Sequence, residues 1–169
     1  MKNDYLAKVR SINATIAVTF KTPKVAVLSN QLLEVPSPLS ARDTDFFEQE
    51  VLRLFYINMS RLVRFELVAY PEDRSKEDNG FVSLHYHAAI RSQNDAKFLA
   101  IAERKYAAVL ESVYSKHFSK IIMPRKPLWI SKINRDDPEK SYEAYILKHY
   151  DPSKHLVTNE DFELKSIAA

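Results

Sequence analysis

Apolar and polar positions alternate most cleanly in FVSLHYHAAIR, residues 81–91. Strand side chains point to opposite sides in turn, so Val82, Leu84, Tyr86, Ala88 and Ile90 form one face. Phe81, Ser83, His85, His87, Ala89 and Arg91 form the other. The first face is expected to pack on helices, and the second to look out from the open side of a sheet. RLVRFELVAY, residues 61–70, reads as the partner strand, and PEDRSKEDNG ends in the turn signal Asn79-Gly80 between the two. ATIAVTFK, residues 14–21, is β-branched, is followed by Pro23, and predicts a first strand. LWISKI, residues 128–133, follows Pro124 and Pro127 and predicts a fourth.

Helical spacing replaces alternation elsewhere. Asp43 or Thr44 can cap a helix carrying Phe46, Phe47, Val51, Leu54 and Phe55 on one side. Asn94 or Asp95 can cap a second, with Phe98, Ile101, Ala102, Val109, Leu110 and Val113 facing a core as far as about His117. Pro138 suits the first turn of a last helix reaching about Tyr150, which Pro152 ends. Residues 22–42, with Pro23, Pro36 and Pro38, read as an irregular connection, and 151–169 as a polar tail. The order β-α-β-β-α-β, then a helix, predicts an α+β fold of the ferredoxin-like, split βαβ kind. Its antiparallel sheet carries helices on one face, and a C-terminal helix bears tyrosines. A single domain is expected over residues 1–169, with its core at about 14–150.

Composition removes several chemistries. The chain has no cysteine, which excludes disulfides, thiolate metal sites and thiol catalysis, and fits a reducing compartment such as the cytoplasm. Its one glycine, Gly80, is too few for a P-loop or a dinucleotide fingerprint, whose backbones approach phosphates without a Cβ. Neither an apolar leader at the N-terminus nor a bilayer-length apolar run is present, so no membrane partner is expected. The net charge of +3 permits a nucleic-acid partner, and Lys116, Lys120, Arg125, Lys126 and Lys132 cluster.

Two constellations carry candidate chemistry. His85 and His87 share a strand face about 7 Å apart at Cα, a spacing at which two imidazoles reach one metal ion. A third ligand is needed. If 61–70 pairs with 81–91 around a 71–80 loop, Glu66 falls roughly opposite the histidines; Glu72, nearer the loop, is the alternative. Two imidazoles and a carboxylate leave coordination positions open for substrate oxygens. In SYEAYILKHY, residues 141–150, helical spacing puts Tyr142, Ile146, His149 and Tyr150 on an apolar stripe. Tyr145 lies at its edge with Lys148 three residues on, where an ammonium favours attack by a phenolate.

The His85-Tyr86-His87 strand, followed about sixty residues later by Tyr145-Ile146-Leu147-Lys148, resembles the HUH endonucleases. It is most similar to the rolling-circle replication initiators of plasmids, phages and small single-stranded DNA viruses, and TIAVTFKTP (15–23) stands where their first-strand motif does. The resemblance covers about 14–150 and implies the same ferredoxin-like fold. It implies that His85, His87 and an upstream acid, carried onto Glu66, bind Mn²⁺ or Mg²⁺, the mixed donor set favouring manganese. Tyr145 would attack a DNA phosphodiester to give a 5′-phosphotyrosine link, reversal would rejoin strands, and Lys148 would neutralise or position the phosphate. Tyr142 is a possible second tyrosine. The implied partners are single-stranded or hairpin origin DNA and a host helicase and polymerase. Lys21, Arg91, Arg125, Lys126 and Lys132 are candidate DNA contacts. A small transposase of the same type and a non-catalytic DNA-binding domain are the rival expectations.

Overall fold

The computed structural model describes residues 1–23, 25–28, 34–35, 41–74, 81–135 and 141–168. The Asn79-Gly80 turn and the Pro138 helix start lie outside the described residues. The chain is mixed α+β, built on a five-stranded antiparallel sheet. Its strands are β1 (Ile16–Lys21), β4 (Phe65–Arg74), β5 (Phe81–Ser92), β7 (Leu128–Lys132) and β8 (Val157–Thr158), in the order β7-β1-β5-β4-β8. A second, three-stranded sheet joins β2 (Val25–Leu28), β3 (Glu34–Val35) and β6 (Phe118–Ile122). It occupies part of the expected irregular connection.

Alternation along β5 sorts the molecule into two cores. Leu84, Tyr86, Ala88 and Ile90 face the larger one, with Ile16, Val18 and Phe20 of β1. Helices cover this face. The first is a continuous helical stretch: α2 (Ala41–Phe46), a π-helical segment (Phe47–Leu52) and α3 (Arg53–Ser60). Phe47 and Leu52, five residues apart at the ends of the π segment, are both fully buried. The second is α4 (Asp95–His117), whose N-cap Asn94 accepts from the Lys97 amide at 3.1 Å. Its buried residues, Phe98, Ala102, Tyr106, Val109, Leu110, Val113 and Tyr114, form the expected apolar stripe. Among the described residues, no helix is long and apolar enough to cross a membrane.

The opposite face is not open. An N-terminal helix, α1 (Lys2–Ser11), and the short α5 (Tyr142–Ile146) pack there. Val9, Ile12, Ile146 and Leu147 close a second core over Val68, Tyr70 and Ala89. The helix expected to reach Tyr150 is one short element, α5, followed by a turn, and not the long helix that the 142–150 stripe suggests. The C-terminal segment is no tail either. β8 pairs with Val68 and Ala69 of β4, and α6 (Asn159–Ala168) sets Phe162 into the larger core against Tyr56, with ring centroids 5.6 Å apart.

Truncating Phe162 tests this docking. Phe162→Ala is expected to lower the unfolding free energy by about 3–5 kcal/mol in urea denaturation, the cost of emptying a buried aromatic site; a tail would leave the transition unmoved.

Candidate metal centre and active site

The β4–β5 ladder decides which carboxylate meets the histidines. It runs without a register change from Phe65↔Ser92 to Glu72↔His85. Tyr70 therefore pairs with His87, and Glu72 sits directly across from His85 on the same face. Glu66 pairs with Arg91, six residues from Glu72 and about 20 Å along the strand. The expected register, with Glu66 across from the histidines, is thus corrected to Glu72. Pro71 looks like the end of a strand, but β4 continues through it. β8 reaches only Val68 and Ala69, so at Pro71 that edge of β4 carries no ladder bond for the missing N–H to break.

Glu72, His85 and His87 each offer a ligand atom within 4.8 Å of the others. Glu72 Oε2 lies 2.7 Å from His87 Nε2 and 3.6 Å from His85 Nε2, the range expected of neighbouring ligands about 2.1 Å from one small ion. Glu72 and His87 are 5% and 6% exposed. Despite the short approach, Glu72 Oε2 and His87 Nε2 are both buried without a hydrogen-bonded partner, as is His149 Nε2. Ligand atoms that converge on one buried point suit a shared cation, so the group can hold a metal ion. Thr19 Oγ1, 3.1 Å from His87 Nδ1, orients the ring from the neighbouring strand. A proton on Nδ1 satisfies that contact and leaves the Nε2 lone pair for a ligand role.

Protonation states point the same way. Burial raises the Glu72 carboxyl, but the adjacent His85 and His87 outweigh it and hold it well below the usual carboxylate range. Burial pushes the His87 imidazole below its ordinary value, against the pull of Glu72. An ionised carboxylate and a neutral imidazole are the forms that bind a cation.

The tyrosine segment comes down on this cluster from the other side. Ser141 caps α5, its hydroxyl accepting from the Ala144 amide at 3.2 Å. Arg135 donates to the Ala14 carbonyl and to Glu143, tying the start of α5 to the sheet. Tyr142 donates its hydroxyl to the Ala88 carbonyl at 2.9 Å, and burial pushes that phenol well above its ordinary range. Tyr145, by contrast, is 40% exposed. Its ring lies 5.1 Å from the His87 ring. Beyond Tyr145 the chain tightens, with Leu147, Lys148 and Tyr150 amides each bonding the carbonyl three residues back. At three residues per turn, i and i+3 eclipse. Lys148 Nζ consequently stands 3.7 Å over the Tyr145 ring and 3.3 Å from Glu72 Oε2. The same turn takes His149 out of the expected apolar stripe and leaves its Nε2 3.4 Å from Glu72 Oε1.

The candidate DNA contacts scatter. Lys21 pairs with His85 on the face of the Glu72–His85–His87 cluster. Arg91 shares that face but lies four residues beyond His87, about 13 Å along β5. Lys132 pairs with Ile16, whose side chain faces the larger core, and so lies on the other face of the sheet. Arg125 and Lys126 are exposed in the connection before β7. Thr19 and His149 are the residues that strand and helix periodicity did not single out. Comparison with protein-family models, curated proteins and solved structures finds no significant match.

Calorimetric titration with Mn²⁺ separates the two carboxylates: Glu72→Ala is expected to weaken binding at least roughly tenfold, and Glu66→Ala to leave it unchanged. The pH dependence has a definite sign. Both depressed pKa values mean that the unfolded chain binds more protons than the folded one, so stability rises with pH. In metal-free protein the His87 contribution is full above about pH 6.5 and fades below it, and that of Glu72 follows below about 4.3. Urea unfolding in a chelator at stepped pH should show the decline setting in below about pH 6.5, flattened in His87→Gln.

Proposed function

We propose that this chain is a metal-dependent nickase and ligase for single-stranded DNA, of the HUH type, acting through a 5′-phosphotyrosine intermediate. The observation that carries the proposal is one exposed phenol, Tyr145, set beside His87 and under the Lys148 ammonium at the edge of the Glu72–His85–His87 cluster. Similarity lends no weight, so the reading rests on this geometry and on the spacing of the motifs. On this reading the order β7-β1-β5-β4, with α3 and α4 over one face, is the ferredoxin-like core, and the small second sheet and β8–α6 are additions to it.

A divalent cation, manganese by the mixed nitrogen and oxygen donors, would draw charge from the target phosphate when bound. The remaining work falls to the chain. Tyr145 loses its proton to solvent and its oxygen attacks phosphorus. The bond to the 3′ oxygen breaks, and that oxygen leaves with a proton as a free hydroxyl. In the reverse step the hydroxyl attacks the phosphotyrosine and the phenol is regained. Lys148 stabilises the phenolate and the phosphate charge from one position. Tyr142 is held in place by the Ala88 carbonyl and keeps α5 on the sheet. Initiation of rolling-circle replication, with origin DNA and a host helicase and polymerase as partners, is the process this chemistry serves. The β4–β5 register supports Glu72 over Glu66 as the third ligand, since Glu72 pairs with His85 and Glu66 with Arg91.

Labelled single-stranded oligonucleotides incubated with Mn²⁺ are expected to form an SDS-resistant adduct. Tyr145→Phe should abolish it. Tyr142→Phe should retain it while costing about 1 kcal/mol of stability through the lost hydrogen bond. An adduct that survives Tyr145→Phe would falsify the assignment, and DNA binding without any adduct would leave a non-catalytic binding domain.

A further inference from the structure

Trp129 is the chain's single tryptophan, and it stands 42% exposed on β7, at the edge of the large sheet. Leu128 and Ile130, on either side, turn into the helix-covered core, so Trp129 turns to the opposite face. The ladders pair Trp129 with Thr19, and Thr19 with His87. These three residues form one cross-strand row on the face of the metal centre. Trp129 is two strand spacings, about 10 Å at Cα, from His87. The Tyr145 ring, from α5, lies 5.1 Å from that of His87.

Cations flank the row. Lys21 lies two residues along β1 from Thr19, half-buried and on the same face. Lys148 stands over Tyr145. A flat apolar ring in water, on the face that also carries Tyr145, Lys21 and Lys148, is complementary to a chain that carries both bases and phosphates. Every base offers a π-face, so stacking on an indole tolerates any sequence, and the cations offset the phosphates. In a duplex the bases stack on each other and present no free face to the ring.

We propose that Trp129 is the stacking platform for a nucleobase adjoining the phosphate attacked by Tyr145, and that its occupant is a single strand of nucleic acid. This inference rests on the nickase reading of the same face.

With one tryptophan in the chain, indole emission reports this ring alone. The Tyr145→Phe protein, chosen to keep the strand uncut, is titrated with a mixed-sequence single-stranded DNA oligonucleotide and with its duplex. Anisotropy of the labelled DNA is followed in parallel for Trp129→Ala and Trp129→Phe. Saturable quenching by the single strand and not by the duplex is expected. Trp129→Ala should bind roughly 5- to 100-fold more weakly, and Trp129→Phe should recover most of the affinity. Binding with unchanged emission and with full affinity in Trp129→Ala overturns the platform. The adduct assay on wild-type protein keeps the two ideas apart. An adduct without quenching sinks the platform and leaves the nickase standing, whereas quenching without an adduct sinks the nickase and the placement beside an attacked phosphate, and leaves Trp129 as a stacking site for a single strand. No binding of either DNA sinks both.

Discussion

Glu72 is a carboxylate almost without water, and four nitrogen-bearing side chains from two distant parts of the chain turn towards it. His85 and His87 come from the next strand, and Lys148 and His149 from the turn after α5. An isolated buried charge of this kind costs several kcal/mol. The fold therefore depends on bringing the hairpin and the tyrosine segment together at one point. It does so with ordinary means: a ladder that continues past Pro71, a second core that closes α1 and α5 over the sheet, and hydrogen bonds from Tyr142 and Arg135 to backbone carbonyls. Charge compensation and placement of an exposed phenol are then the same structural event.

The two tyrosines of α5 show how little separates a fastener from an exposed phenol. They are three residues apart and their rings stack at 6.0 Å, yet one hydroxyl is spent on the Ala88 carbonyl while the other side chain is 40% exposed. The difference comes from direction. Tyr142 faces the sheet between β1 and β5, and Tyr145 faces outward beside His87. Further along, Tyr70 shares a pair of hydrogen bonds with Asp151 and stacks on Tyr150, so the segment is secured beyond its end as well.

Much of this was legible where one residue type carries one physical meaning. Strand alternation put His85 and His87 on one face, and the Asn94 cap marked the start of α4. The failures have specific causes. Pro71 normally ends a strand, and only the shortness of β8 lets β4 run through it to Glu72. His149 was read with a period of 3.6, but the turn after Tyr145 closes at three residues. Among the side chains described in β8 and α6, Val157 and Phe162 are the deeply buried apolar ones, too sparse for any periodic signal. α1 buries only Val9 along its length and lacks a side-chain cap, so it too reads as solvated chain.

The short helix that carries Tyr145 has a mechanical consequence. Pinned to the middle of the sheet by Tyr142, and at its start through the Arg135–Glu143 pair, it cannot swing away as a free terminus would. A pull on the Tyr145 side chain would pass through Tyr142 to the Val18 and Ala88 carbonyls of β1 and β5, in the middle of the sheet. A polymer tethered there, with machinery hauling on its far end, would strain the centre of the domain and spare its margins.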